Sequence, residues 1–229
     1  MKTIGLIGGM SWESSAEYYR IINRKVAAQL GGLASATCIL YSVNFEEIEQ
    51  LQRNNEWGKA ASIISDAAGK LEAAGADCVL ICTNTMHKIA DHVQEALTVP
   101  LLHIGSATAA AIRSDNRTKV GLLGTRYTME EDFYQERLND QGIQVVTPDQ
   151  SDRTELNRII FEELCQGKFL PESKKKIQAM IEDLRENGAQ AIVLGCTEIP
   201  LIIKDADSPL PIYSTMEIHA AKAVEFALS

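Results

Sequence analysis

The sequence lacks any long uninterrupted run of apolar residues. Its N-terminus, "MKTIGLIGGMSW", has one lysine followed by a short apolar run that glycines interrupt, which is too short for a signal h-region or a membrane span. No later segment is long and apolar enough to cross a bilayer. We therefore expect a cytoplasmic protein without a membrane partner.

Basic residues are also scarce. The 229 residues include 22 lysines and arginines against 31 aspartates and glutamates, which gives a formal net charge of −9. Nucleic acids and anionic membranes attract basic surfaces, so this balance disfavours both as partners. It does not exclude a small acidic substrate, because a few local hydrogen-bond donors can outweigh a global charge.

Cysteine and histidine patterns typical of metal or redox sites are absent. The five cysteines are odd in number and form no CxxC pair, so disulfides are not expected in the cytosol. His87 and His92 are five residues apart, a spacing that does not place them on one helix face, so no metal site is expected. The 45% apolar content is that of an ordinary globular protein with one large or two small domains.

What the sequence does contain is an alternation of short apolar runs and amphipathic segments. Short strands with few alternating polar residues, separated by helices, favour parallel sheets covered on both faces. The predicted strands are Thr3–Gly9, Ala36–Val43, Cys78–Cys82, Pro100–Ile104, Thr118–Thr125, Ile143–Pro148 and Ala191–Cys196. The predicted helices are Ser14–Leu30, Phe45–Gln52, Trp57–Ala74, Met86–Leu97, Met129–Asn139, Thr154–Cys165, Glu172–Glu186 and Thr215–Leu228.

The pattern starts again near residue 118, as a weak internal repeat. "TIGLIGG" aligns with "KVGLLGT" at an offset of 116 residues, and "GADCVLICTN" aligns with "GAQAIVLGCT" at an offset of 113. The repeat predicts two Rossmann-like α/β domains related by a pseudo-twofold axis. We place the N-terminal domain at 1–102, with the C-terminal helix at 212–229 packing back on it, and the C-terminal domain at 103–211.

The second alignment places Thr83, not Cys82, on Cys196. Thr83 and Cys196 are the first residues past two equivalent apolar runs, and ligand sites in parallel sheets lie beyond the carboxyl ends of strands. Cys82 ends its run and is expected to face the core. On spacing alone, a packing role for all three residues stays open.

Four motifs resemble those of the cofactor-independent aspartate/glutamate racemase family. They are "IGLIGGMSWESS", "CTNTMH", "LLGTRYTM" and "GCTEIP", and the resemblance extends from Ile4 to about Ile218. It implies an active site in the cleft between two α/β domains and no need for pyridoxal phosphate (PLP). It also implies a homodimer, as in many members, and two facing residues that exchange the Cα proton of an acidic amino acid.

The first catalytic motif departs from the family pattern. The family has Cys-Asn-Thr there, whereas this chain has Thr83-Asn84-Thr85, with Cys82 one position early; Cys196 stands in an intact Gly-Cys-Thr. This arrangement is similar to a Cys/Thr subgroup of L-aspartate/glutamate-specific racemases. The resemblance therefore implies that Thr83 and Cys196 are the catalytic pair.

Such a pair is chemically unequal. Racemisation needs one group on each face of a planar carbanion, one acting as base and the other as acid. A cysteine thiol titrates near ~8.5 and is easily shifted lower, and turn amides or a helix N-terminus after Cys196 are expected to stabilise its thiolate. Threonine is a poor stand-alone base. We therefore expect a preference for the L-enantiomer as substrate.

Donors must also hold the substrate carboxylates as the α-carboxylate gains enediolate character. By resemblance to the family, Asn84, Thr85 and Thr197 bind carboxylate and Gln52 binds the acidic side chain. Glu198 follows Cys196 and Thr197 directly and is expected to orient or modulate the site. Arg53 and Lys168 are weaker candidates that also fit a solvated surface, and His87 is expected to cap or pack. Two strand-end loops supply further donors: Gly8, Gly9, Met10 and Ser11 in the first half, and Gly124, Thr125 and Thr128 in the second.

Two other functions stay open. A single-cysteine superfamily decarboxylase, isomerase or hydantoin racemase would suit one-sided protonation. A non-catalytic protein that binds an acidic amino acid would need no proton exchange, although the intact Gly-Cys-Thr speaks against it.

Overall fold

The computed structural model describes residues 1–229, which divide into two compact units. Unit 1 comprises Met1–Ile104 and His219–Ser229, and unit 2 comprises Gly105–Ile218. The chain therefore leaves unit 1 after Ile104 and re-enters it at His219. Residues 212–218, which the sequence analysis grouped with the N-terminal domain, belong to unit 2.

Unit 1 contains a three-stranded parallel sheet in the order β2-β1-β3. Every residue of the central strand β1 and of β3 is buried, whereas the edge strand β2 is partly exposed. The strands are β1 (Ile4–Gly8), β2 (Cys38–Ser42) and β3 (Cys78–Ile81). The helices are α1 (Trp12–Leu30), α2 (Phe45–Arg53), α3 (Trp57–Ala73) and α4 (Ala90–Glu95), with a 3-10 turn at Thr85–Ile89.

Unit 2 contains a four-stranded parallel sheet in the order β5-β4-β6-β7. Its strands are β4 (Lys119–Gly124), β5 (Gln144–Val146), β6 (Ile192–Gly195) and β7 (Ile212–Ser214). The remaining helices are α5 (Ile104–Ser114), α6 (Arg126–Glu130), α7 (Asp132–Asn139), α8 (Gln150–Glu162), α9 (Pro171–Glu186), α10 (Ile199–Ile202) and α11 (Thr215–Leu228), with 3-10 turns at Leu164–Gln166 and Asp205–Asp207. The prediction of two parallel α/β sheets is confirmed.

The register of the two sheets reproduces the internal repeat. Gly5 of β1 lies opposite Val79 of β3, and Gly121 of β4 lies opposite Ile192 of β6. The offsets of 116 and 113 residues between these pairs are the offsets of the sequence alignment. Thr83 and Cys196 therefore occupy equivalent positions at the ends of β3 and β6.

The predicted strand Pro100–Ile104 is wrong, since it is reduced to one bridge between Val79 and Leu101. Proline has no N–H to extend the ladder, and the chain turns into α5 at Ile104. The counterpart of this bridge in unit 2 is β7, which the sequence analysis missed because its apolar run is so short. The same hydrogen bond occurs separately in each unit. The Val79 amide donates to the Pro100 carbonyl at 3.0 Å in unit 1, and the Ile192 amide donates to the Pro211 carbonyl at 2.9 Å in unit 2.

Several helical segments also differ from the prediction: α8 begins at Gln150 rather than Thr154, and the short helix α10 was not predicted. The segment predicted as Met86–Leu97 is a 3-10 turn followed by α4, and the segment predicted as Met129–Asn139 is broken into α6 and α7 by extended backbone at Glu131. Helix α5 was not predicted because its small residues give a weak amphipathic pattern. None of the helices combines the length and the apolar character that spanning a membrane requires.

Candidate active site

The loop after β1 is built around a glycine that the fold requires. Gly9 has a φ of +95°, and a Cβ atom there would lie 2.1 Å from the carbonyl oxygen of Val43. The Gly9 amide donates to Ser15 Oγ at 2.8 Å, and the Ser15 hydroxyl donates to the Ser11 carbonyl at 2.7 Å. Met10 and Ser11 are buried within this loop. Ser15, which the sequence analysis did not single out, therefore holds the loop in shape.

The loop after β3 carries Thr83, Asn84 and Thr85, which are all buried. It is held against the end of β1 because the Cys82 amide donates to the Ile7 carbonyl at 2.9 Å. Cys82 itself is only 1% exposed, and burial raises the pKa of its thiol. This burial agrees with the expectation that Cys82 faces the core.

Gln52 reaches this loop from the last turn of α2. Its side chain is buried, and its amide Nε2 donates to the sulfur of Met86 at 2.9 Å. Its neighbour Arg53 points the other way, to the surface, where it pairs with Glu49 at 2.7 Å. Of the two candidates from this helix, only Gln52 lies against the strand-end loops of unit 1.

Unit 2 presents an equivalent pair of loops after β4 and β6. Thr125 caps the N-terminus of α6 by accepting a hydrogen bond from the Thr128 amide at 3.4 Å, and the two hydroxyls lie 3.2 Å apart. Gly124 and Gly195 are in close contact, since a Cβ atom on Gly124 would lie 2.9 Å from the Gly195 carbonyl oxygen. The absence of side chains there brings Thr125 and Thr128 beside the residue that precedes Cys196.

The thiol of Cys196 is hydrogen bonded to the side chain of Glu198. Its Sγ donates to Glu198 Oε2 at 3.0 Å, and Thr197 Oγ1 donates to the same oxygen at 2.9 Å. Burial, together with the negative charge of Glu198, raises the pKa of Cys196 well above its usual value. Burial and the carboxylate both oppose the thiolate that the sequence predicts, and the following helix α10 is only four residues long.

Lys168 lies outside both sets of loops. It is exposed, and its ammonium group donates to Gln166 at 2.7 Å. The solvated-surface alternative for Lys168 and Arg53 therefore fits the structure better than a carboxylate-binding role.

The structure thus gathers the predicted residues into two sets, one in each unit. The set of unit 1 consists of Met10, Ser11, Gln52, Thr83, Asn84 and Thr85, and that of unit 2 of Thr125, Thr128, Cys196, Thr197 and Glu198. Each set combines hydroxyl or amide groups with at least one residue that can carry a proton. Such a combination suits recognition of a carboxylate beside a carbon acid.

Comparisons with known proteins point to one family. A family model described as Asp/Glu/hydantoin racemase matches residues 7–223. The chain is 52% identical to a candidate Asp/Glu racemase from Yersinia pestis, with a TM-score of 0.93 and 100% of both chains covered. It is 37% identical to an aspartate racemase homologue from Pyrococcus horikoshii OT3, with a TM-score of 0.85 and the same coverage. It is also 28% identical over 166 residues to the broad specificity amino-acid racemase RacX of Bacillus subtilis strain 168, covering 72% of this chain and 71% of that protein.

Proposed function

Because the chain belongs to the Asp/Glu/hydantoin racemase family, we propose that it is a PLP-independent racemase that interconverts L- and D-aspartate, L- and D-glutamate, or both. The names of its relatives support an amino-acid substrate, and two of them refer to aspartate. The observation that carries the proposal is the equivalence of Thr83 and Cys196 in the registers of the two sheets. Each follows a buried strand at the edge where parallel sheets bind ligands.

In this proposal, Cys196 is the base toward the L-enantiomer and Thr83 serves the opposite face of the Cα atom. Cys196 is protonated at rest, so it must first give up its proton. Glu198 Oε2 is the acceptor in place, 3.0 Å from the sulfur. Transfer of that proton leaves a thiolate and a neutral carboxyl, and the thiolate can then take the Cα proton.

Thr83 acts as a proton relay. Its hydroxyl delivers a proton to the carbanion while it takes one up from water, because a free alkoxide is too unstable to form. The carboxyl proton of Glu198 then neutralises the hydroxide that remains. In the reverse direction, the same hydroxyl must be activated before it can accept a proton from the D-enantiomer. Of the two proton transfers at Cα, the one on the face that Thr83 serves is therefore assigned as the slower.

The remaining residues of the two sets bind the substrate. Hydroxyl and amide donors stabilise the α-carboxylate as negative charge moves onto it, and Gln52 receives the distal carboxylate. The proposed binding residues are Met10, Ser11, Gln52, Asn84, Thr85, Thr125, Thr128, Thr197 and Glu198.

Chiral chromatography tests the proposal most directly. The protein is incubated, without added PLP, with each enantiomer of aspartate and glutamate, and Cys196→Ala serves as the inactive control. We expect the opposite enantiomer to accumulate with at least one of the two amino acids. If neither inverts, but a substituted malonate or a hydantoin reacts, the single-cysteine alternative replaces this proposal. Binding without deuterium exchange at Cα in D₂O would instead identify an amino-acid binding protein.

A further inference from the structure

His87 occupies a position in unit 1 that a packing residue would not need. Its side chain is buried directly beneath the loop that carries Thr83. The Nδ1 atom lies 2.8 Å from the Thr83 carbonyl oxygen, and the Ile104 amide donates to the Nε2 atom at 3.1 Å. One imidazole ring therefore joins the Thr83 loop to the point at which the chain leaves unit 1.

These two contacts fix the tautomer of the ring. The Ile104 amide is a donor, so Nε2 must be an acceptor without a proton. Nδ1 then carries the proton and donates it to Thr83. Only the neutral imidazole can donate at one nitrogen and accept at the other. Burial and the adjacent rings of His103 and His219 lower the pKa of His87 well below its usual value, which keeps the ring in this form.

The neighbouring histidines extend the same connection. The rings of His103 and His219 lie 4.6 and 5.7 Å from that of His87, measured between centroids. His219 Nδ1 is 2.9 Å from the Tyr18 hydroxyl, and its Nε2 is 2.6 Å from the Leu102 carbonyl. His219 is also the residue at which the chain re-enters unit 1. His87 is thus braced by both segments through which the chain enters and leaves this unit.

Resting on the proposed function, we propose that His87 is a positioning residue for Thr83. The hydrogen bond to the Thr83 carbonyl fixes the peptide plane between Thr83 and Asn84. This sets the direction of the Thr83 side chain and the placement of Asn84. A leucine of similar volume would fill the space but would leave the Thr83 carbonyl without this donor. His87 takes no part in proton transfer, because it touches the backbone of Thr83 and not its hydroxyl.

Two amide substitutions separate the two contacts. In His87→Asn, the side-chain amide nitrogen can occupy the place of Nδ1 and keep the donor to Thr83. In His87→Gln, the amide oxygen can occupy the place of Nε2 and keep the acceptor for Ile104, but the donor to Thr83 is lost. His92→Gln, at an exposed histidine of the neighbouring helix α4, is the matched control.

The readout is the fate of L-substrate in D₂O. Deuterium in the recovered L-enantiomer reports Cys196 alone, whereas formation of the D-enantiomer requires Thr83 as well. We expect His87→Gln to lower racemisation by about 10- to 100-fold while deuterium exchange into the L-enantiomer falls far less. His87→Asn and His92→Gln should keep the wild-type ratio of exchange to racemisation. A loss of general stability would instead lower both rates together and leave that ratio unchanged.

Equal ratios in His87→Gln and the wild type would overturn the positioning role. If the wild type neither racemises any acidic amino acid nor exchanges its Cα proton for deuterium, the proposed function is contradicted instead. In that case the methyl resonance of Thr83 still tests whether His87 positions Thr83. It should shift or broaden in His87→Gln and stay in place in His87→Asn, and an unchanged resonance in both would refute the proposal.

Discussion

The thiol of Cys196 and the carboxylate of Glu198 form a hydrogen bond of 3.0 Å within a buried turn. The bond has two opposite consequences. Burial and the negative charge of Glu198 both make the thiolate harder to form, which raises the pKa of Cys196, and the same carboxylate is the acceptor in place for the thiol proton. The two residues therefore act as a unit, and removing the charge should separate the two effects.

Glu198→Gln should lower the pKa of Cys196 and also lower turnover. The thiol loses the neighbouring charge that disfavours its ionisation, but it also loses the group that takes its proton. We expect kcat to fall by about 10²-fold, the scale of general-base catalysis. Thiolate absorbance against pH, taken as a difference from Cys196→Ala, measures the first effect. A thiol pKa that stays the same or rises would contradict the electrostatic argument, and an unchanged kcat would remove Glu198 from the proton path.

Cys82 and Cys196 should behave differently when either is replaced by alanine. Cys82→Ala should keep most of the activity and cost about 1–2 kcal/mol of stability, because a buried side chain is shortened without loss of a proton carrier. Cys196→Ala should lose nearly all turnover. Urea denaturation of both variants, beside initial rates at saturating substrate, makes the comparison. Equal loss of activity in folded variants would mean that Cys82, not Thr83, serves the first face.

It was predictable from sequence that Thr83, and not Cys82, is the register equivalent of Cys196, because strand register is a long-range constraint. Two glycine-containing strands fix one offset, "GADCVLICTN" and "GAQAIVLGCT" fix the other, and the sheets keep both. The state of Cys196 was not predictable in this way. It depends on whether the Glu198 side chain turns toward the sulfur, which three adjacent letters of sequence do not specify. Likewise, the "TNTMH" spacing gave no sign that the His87 ring would join the Thr83 carbonyl to Ile104.

Short strands were the other feature that the sequence pattern did not predict. Strand β7 and the bridge at Leu101 each contribute so few residues that periodicity cannot reveal them. The shared signal was a proline just before each, in "VPLL" and "LPIY", at matching places after β3 and β6. Comparison of the two halves with each other would have found β7, whereas the pattern within either half alone would not.

Acidification should destabilise the protein before its carboxylates titrate. The pKa of His219 is lowered to about 3, mainly by burial, and that of His87 is also lowered well below the ordinary value of 6.5. Below pH 6.5 the unfolded chain binds protons that the folded chain excludes. Stability is therefore complete above that pH and declines as the pH falls, by up to about 1.4 kcal/mol per pH unit for each histidine.

Urea unfolding at a series of pH values between about 6.5 and 4.5 measures this loss, because ordinary glutamates titrate only at the lower end of that range. A histidine NMR titration over the same range follows the individual groups. We expect His87 and His219 to stay neutral in the folded protein, because burial lowers the pKa of both. Titration of His219 near 6.5, with a flat stability curve, would contradict the prediction.

Gly9 and Gly69 should respond in opposite ways to alanine. At Gly9 the positive φ and the contact with Val43 leave no room for a Cβ atom, so Gly9→Ala should cost about 2 kcal/mol or more and impair turnover through the loop after β1. Gly69 lies within α3 with open space around it, so Gly69→Ala should stabilise the protein by about 0.5–1 kcal/mol. Chemical denaturation compares the two. A tolerated alanine at Gly9 would show that the loop after β1 adapts easily.

Thr83→Cys should raise turnover of the D-enantiomer relative to the L-enantiomer. The two enantiomers have equal free energy in water, so kcat/KM must be the same in both directions for any variant. The chemical inequality of threonine and cysteine can therefore appear only in the separate values of kcat and KM. In the wild type we expect a larger kcat and a larger KM with the L-enantiomer, because the thiol of Cys196 is the better base. A second thiol at position 83 should bring the two kcat values together, although the larger sulfur must fit where a buried hydroxyl stood.

Initial rates at saturating and at limiting concentrations of each enantiomer give all four constants, and equal kcat/KM values verify the assay. Thr83→Ser, which keeps a hydroxyl, is the control and should retain the wild-type inequality. Equal kcat values for the two enantiomers in the wild type would refute the assignment of Thr83 to the slower face, whatever the variants do.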